Sequence, residues 1–184
     1  MVPQGPPAYN TPLKLDKALS IFGWCSVIEV VWLADEATKH SRIVELGSYL
    51  GRSTRALADN TLGSVIVVDD FKGPRDAISE TPEEIYRKFH ENMQGVFLDK
   101  IFVHNCDHAT IQPNFTFDMC FIDGSHEYED VKRDIAKWLP FLEKGGLMCG
   151  HDFADEYEGV KRAVCEAFAG KQMNLTDTIW AVTV

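Results

Sequence analysis

The 184-residue chain has no C-x-x-C pair; Cys25, Cys106, Cys120, Cys149 and Cys165 are odd in number and scattered. That pattern offers neither a zinc site nor a disulfide framework, and it suits a reducing compartment. No hydrophobic run approaches the length of a membrane span, so no membrane partner is expected. The opening stretch "MVPQGPPAYN" has no apolar core of the kind a secretion signal needs, and a cytoplasmic location is the expectation. Basic residues are scarce: 18 Lys and Arg stand against 28 Asp and Glu, a formal net charge of -10. Such a surface repels phosphate backbones and argues against nucleic acid as a partner.

What is present is the composition of a globular protein, 45% hydrophobic and 25% charged. The length suits one domain over residues 1–184. Residues 1–40 read as a loose arm followed by cap helices over 13–22 and 26–39, where Val27, Val31 and Ala34 fall at helical spacing. These apolar helices make a homodimer plausible. From residue 42 strands alternate with helices. "RIVEL" (42–46), "SVIVVDDF" (64–71), "IFVHNC" (101–106), "FDMCFID" (117–123) and "LMCGHDF" (147–153) are near-continuous apolar runs, which suits strands buried on both faces of a parallel sheet. Helical spacing over 53–60, 83–95, 129–142 and 157–169 fills the gaps, with Gly145 and Gly146 read as the turn that ends the third. The expected fold is α/β: a three-layer, Rossmann-like fold with a mostly parallel central sheet and helices on both faces. The tail "QMNLTDTIWAVTV" supplies two short strands around Thr176 and Asp177.

The stretch "IVELGSYLGRST" (43–54) places Gly47 and Gly51 between the first strand and a helix. The order is that of a ligand loop at the carboxyl end of a strand, although an ordinary βα turn has the same spacing. Glu45 lies inside the apolar strand, where a carboxylate is costly without a partner. Asp69 ends strand two, a position that suits ribose hydroxyls. A dinucleotide fingerprint needs a third glycine and a pyrophosphate at the helix terminus; this loop has two, and Glu45 would favour a cationic ligand.

Together, "VELGSYLGRST", "VVDDFKG", "FDMCFIDGSHEYEDVKRDIAKWLPFLEKGG" and "GHDF…GVKRAV", with Gly23 and Trp24 ahead of a helix, resemble the class I S-adenosylmethionine-dependent methyltransferases. The match is to the branch of macrolide-sugar and aminocoumarin O-methyltransferases and cephalosporin-hydroxylase-like proteins, over roughly residues 20–170. The resemblance implies S-adenosylmethionine as cofactor and a small-molecule acceptor methylated at oxygen. It implies that Glu45, Gly47, Ser48, Gly51 and Ser53 cradle the methionine part, that Asp69, with Asp70 beside it, binds the ribose, and that Cys106, Asp107 and His108 flank the adenine. Asp107 reads equally as a turn residue.

The same resemblance places a divalent metal, Mg or Mn, on Asp123, His151 and Asp152. The relatives have an acid where this chain has His151, a ligand that suits Mn²⁺, Fe²⁺ or Zn²⁺ better than Mg²⁺, so the metal is either different or absent. His151 also reads as a residue that orients Asp152. His126, three residues past Asp123, is the implied catalytic base, with Asp123 as the alternative catalytic proton acceptor; histidine titrates near neutrality. Its plainer reading is a cap on the helix that begins near Tyr128. Two other classes stay open: a catalytically silent binding module of the same fold, and a nicotinamide-dependent enzyme.

Overall fold

The structure, a computed structural model, describes residues 12–73 and 79–184. The expected loose arm lies outside them. α1 (Asp16–Ser20) and α2 (Val27–Ala37) precede the sheet. α2 starts at a capping box: the Ser26 hydroxyl accepts the Glu29 N–H, and the Glu29 carboxylate accepts the Ser26 N–H. Then come β1 (Arg42–Leu46), α3 (Arg52–Asn60), β2 (Ser64–Asp69), α4 (Pro82–Asn92), α5 (Phe97–Lys100) and β3 (Ile101–Asn105). β4 (Phe117–Ile122), α6 (Tyr128–Trp138), β5 (Leu142–Gly150), α7 (Glu158–Ala167), β6 (Asn174–Thr176) and β7 (Ile179–Thr183) complete the chain. α4 begins with Pro82 at its first turn and a second capping box between Thr81 and Glu84.

One seven-stranded sheet has the order β3-β2-β1-β4-β5-β7-β6. The pairs from β3 through β5 are parallel, and β7 is antiparallel to both β5 and β6. The chain winds outward from β1 to β3 and then returns to the other side of β1 with β4. Two adjacent strands thus send their connections to opposite faces, which opens a crevice at the carboxyl ends of β1 and β4.

Alternation along the buried strands builds two apolar layers. Ile43, Val65, Val67, Met119 and Phe121 face Leu33 and Ala34 of α2, Leu57 of α3 and Phe89 of α4. Val44, Leu46, Val68, Cys120 and Ile122 face Val131, Ile135 and Trp138 of α6 and Val160 and Val164 of α7. Burying these side chains is worth roughly 1.5–3 kcal/mol each.

Three expectations shift. The third helix ends at Trp138 rather than near 142, because Pro140 in the next turn cannot continue the ladder. β5 therefore starts at Leu142, and Gly145 and Gly146 lie within it, where the pairing with β4 changes register. In α2 the buried positions are Val30, Leu33, Ala34 and Ala37, while Val27, Ile28 and Val31 are exposed. The five cysteines are free, and no helix among the described residues is long and apolar enough to cross a membrane.

Candidate active site

The glycine loop runs over the crevice with three residues in the left-handed region: Gly47 at φ 85, Tyr49 at φ 48 and Gly51 at φ 88. At Gly47 the requirement is strict. Its N–H donates to the Val68 carbonyl, and a Cβ there would sit 2.2 Å from the Asp123 carbonyl oxygen. The ends of β1, β2 and β4 come together through this residue. At Gly51 a Cβ would lie 2.5 Å from Met93 Cε, so the loop also packs directly on α4.

Beneath the loop, Glu45 is fully buried. The Thr54 hydroxyl donates to its Oε2, and Oε1 has no hydrogen-bond partner. Burial pushes the Glu45 carboxyl up to about 8, against a lowering by the Ser53 and Thr54 hydroxyls beside it. The folded protein therefore holds this acid protonated at neutral pH, whereas the unfolded chain holds it ionised. Without a cationic ligand, stability should fall as pH rises from the ordinary carboxylate range to about 8, and Glu45→Gln should flatten that slope in thermal melts. A wild-type melt independent of pH over this window would contradict the buried acid.

Asp69 is also buried, and its carboxylate serves the loop. Oδ2 accepts the Ser48 N–H at 2.6 Å, the Tyr49 N–H at 2.8 Å and the Ser48 hydroxyl at 3.0 Å, while Oδ1 accepts the Phe71 N–H at 2.6 Å. Asp70, next in the chain, is half-buried and pairs with Lys72 at 2.5 Å, which holds its carboxyl below the usual range against the opposing effect of burial. Asp107 organises a turn: its Oδ1 accepts the Ala109 N–H, and its carbonyl accepts the Thr110 N–H. His108 lies 3.3 Å from the buried Asp134 of α6 and packs on Gly124, directly behind the Asp123 loop. The half-buried Cys106 follows β3, its N–H bonded to the Asp69 carbonyl. Glu45, Gly47, Ser48, Gly51, Ser53 and Asp69 thus form one connected unit, with Cys106 to His108 along its β2–β3 side.

Across the crevice stands a cluster of acids and histidines. Asp123 follows β4, its N–H bonded to the Leu46 carbonyl. His151 and Asp152 follow β5, and Asp152 adopts φ 62, a strained conformation for a residue with a side chain. His126 Nε2 is 2.8 Å from Asp152 Oδ2, and its ring lies against Tyr157 at 4.3 Å. The bond to Asp152 raises the His126 pKa above the ordinary value, outweighing burial. His126 does not cap α6: the N-cap is Glu127, whose N–H is taken by the Ser125 hydroxyl.

His151 is almost completely enclosed. Its Nε2 is 3.0 Å from Glu29 Oε2, and its Nδ1 is 3.2 Å from Asp152 Oδ1 and 3.4 Å from Asp123 Oδ1. Burial alone would lower its pKa, but hydrogen bonds to the three carboxylates raise it far above the ordinary value. The same ring holds the Glu29 carboxyl down to about 2, against the effect of burial. The structure brings Asp123, His151 and Asp152 together, yet among the described residues the group whose ligand atoms lie within 4.8 Å of one another is Cys25, Asp123 and His151, with Asp152 outside it.

Glu29 and Cys25 are the residues that sequence reasoning missed. A signal for Glu29 was present, an acid on the buried face of α2 beside Val30 and Leu33, and it is the same signal that marked Glu45. Nothing local to Cys25 pointed to Asp123, 98 residues away. Phe22 and Trp24 pack with Tyr49 as an aromatic shelf at the loop, with ring centroids 5.0–6.4 Å apart.

A glycine loop at the switch point of a parallel sheet, opposite a histidine–carboxylate cluster, is the arrangement of a doubly wound enzyme crevice. The chain belongs to a methyltransferase-domain family, whose model matches residues 44–153. It is 31% identical over 131 residues to an uncharacterized protein, y4gI, of Sinorhizobium fredii; that match takes in 66% of this chain and only 14% of the relative's length. Among solved structures it is similar to an O-methyltransferase from Bacillus cereus in complex with SAH (18% identity, TM-score 0.66, covering 92% of this chain and 90% of that one). It is also similar to the O-methyltransferase NovP (15%, 0.65, 86% and 80%) and to CalS11, a TDP-rhamnose 3'-O-methyltransferase of calicheamicin biosynthesis (15%, 0.62, 84% and 76%). At these identities the likeness establishes the fold.

Proposed function

We propose that this chain is, as a single domain, an S-adenosylmethionine-dependent methyltransferase acting on a hydroxyl of a small molecule. The observation that carries the reading is the buried, half-satisfied Glu45 carboxyl beneath a glycine loop, together with a His126–Asp152 pair in the loops after β4 and β5. An unpartnered buried oxygen is costly, and a ligand bearing an ammonium or sulfonium group relieves that cost. The residues therefore fit the cofactor: Glu45, Gly47, Ser48, Gly51 and Ser53 about the methionine part, Asp69 and Asp70 about the ribose, and Cys106, Asp107 and His108 beside the adenine. Asp69 acts there through the loop that it fastens, and Asp70 is the more exposed of the two acids.

When bound, the cofactor supplies a methyl group already activated on sulfur. The protein has to place a hydroxyl in line with it, exclude water and remove one proton. His126 takes that proton at Nδ1, since Nε2 is held by Asp152, which also fixes the ring's orientation. Asp123, partly exposed beside the loop, accepts a hydrogen bond from the acceptor hydroxyl.

Calorimetry with S-adenosylhomocysteine and with NAD tests the cofactor, and turnover against hydroxylated compounds tests the transfer. Binding of the first without any turnover would favour a silent binding module. Asp69→Ala should weaken S-adenosylhomocysteine binding by about 1–3 kcal/mol, because the loop donors lose their acceptor. Unchanged affinity would remove Asp69 from the site.

A further inference from the structure

The metal implied by the resemblance can be tested against the donor atoms themselves. A divalent cation needs lone pairs aimed at one point, and an imidazole offers one only from a nitrogen without a proton. Both ring nitrogens of His151 face carboxylate oxygens: Nε2 faces Glu29 at 3.0 Å, and Nδ1 faces Asp152 at 3.2 Å and Asp123 at 3.4 Å. Ionised carboxylates only accept hydrogen bonds, so a ring that serves all three carboxylates carries a proton on each nitrogen and has no lone pair to give.

Glu29 locks this arrangement from behind. Its Oε1 accepts the Thr178 N–H at 3.0 Å and the Thr178 hydroxyl at 2.7 Å, and its Oε2 also accepts the Ser26 N–H at 2.7 Å. The His151 ring is buried in the same network. The remaining candidate for coordination is Cys25 with Asp123. Its thiol is enclosed and pushed well above its ordinary pKa, first by burial and then by Asp123, and it lies 3.9 Å from Asp123 Oδ2 in the position of a donor. A thiol is not a metal ligand until it ionises. Asp152 lies outside the one converging group found among the described residues. These residues do not fit a divalent cation.

We propose that the ring of His151 is the resident positive charge of this site, holding Glu29, Asp123 and Asp152 in place, and that the protein orients its acceptor without a divalent metal. The proposal rests on the methyltransferase reading for the word acceptor, but the charge arrangement stands independently of it. Asp123, freed from coordination, is partly exposed, with Oδ1 beside His151 and Oδ2 beside the Cys25 thiol, and Asp152 is shared between His151 and His126.

Four measurements on the protein test it. Purified protein should contain no stoichiometric metal by atomic emission, and titration with MgCl₂, MnCl₂ or ZnCl₂ should give no saturable heat. Nitrogen NMR should show both His151 ring nitrogens protonated at neutral pH. His151→Asp, which places an oxygen donor between Asp123 and Asp152, should gain saturable Mn²⁺ binding. Stoichiometric metal in the wild type, lost in Asp123→Asn or Cys25→Ser, would overturn the proposal, as would a His151 nitrogen without a proton. If His151→Asp does not fold, the wild-type metal content and NMR decide alone. S-adenosylhomocysteine titration in EDTA separates the two readings: no binding there with a metal-free, doubly protonated ring removes the methyltransferase reading and leaves the charge assignment standing.

Discussion

Replacing His126 by alanine should lower turnover by about a hundred- to ten-thousand-fold while leaving the affinity for S-adenosylhomocysteine unchanged. The ring belongs to the loop after β4, whereas Glu45 and the glycine loop belong to β1 and the turn after it, so its loss removes a proton acceptor without removing a residue of the cofactor cradle. The pH profile gives a sharper readout than the rate alone. A base works when neutral, and the Asp152 carboxylate stabilises the charged form of His126, raising its pKa above the ordinary 6.5. Wild-type kcat should therefore rise with pH through a midpoint above that value. In Asp152→Asn the midpoint should move down, because the charged ring has lost its partner. Full turnover in His126→Ala would show that the proton leaves by another route, with Asp123 the nearest alternative.

Gly47→Ala should destabilise the fold by about 3–5 kcal/mol and abolish measurable cofactor binding. Two costs combine. At φ 85 an alanine sits in a backbone region that disfavours any side chain. The added carbon would also lie 2.2 Å from the Asp123 carbonyl oxygen and 2.7 Å from its carbon, both of them backbone atoms that cannot rotate away. Relief requires the ends of β1 and β4 to separate, and the crevice is the space between those ends. Denaturant unfolding measures the first effect and calorimetry the second. A variant with wild-type stability would mean that the β4 end yields freely, and that the loop is held by Asp69 alone.

The sheet was legible because its evidence is local. Each strand is a short apolar run, each helix a periodic one, and the glycines mark where they join. Glu45 was legible for the same reason, since an acid inside an apolar strand stands out, whereas Asp152 was reached only through the family resemblance. Residues joined only by folding were not legible. Glu29 meets Thr178 across 149 residues and His151 across 122, and no pattern in either segment names the other. The register change in β5 was hidden for a related reason: two consecutive glycines read as a helix stop until the pairing with β4 shows them inside the strand, between Leu142 and Leu147. Asp69 was read as a ribose ligand from its place at the end of β2. Its bonds to Ser48 and Tyr49 became visible only when β1 and β2 lay side by side.

Asp69 has a further consequence for which molecules can enter. Strand-to-helix turns in parallel sheets often act as anion traps, because their free amides point at an incoming phosphate. Here the trap is already sprung: the amides of Ser48, Tyr49 and Phe71 close on the protein's own carboxylate. A diphosphate arriving at this turn would find the amides of Ser48, Tyr49 and Phe71 taken and a carboxylate beside them, whereas an adenosine without phosphates would meet no such opposition. The fold that serves dinucleotides elsewhere is, in this chain, turned against them by one aspartate.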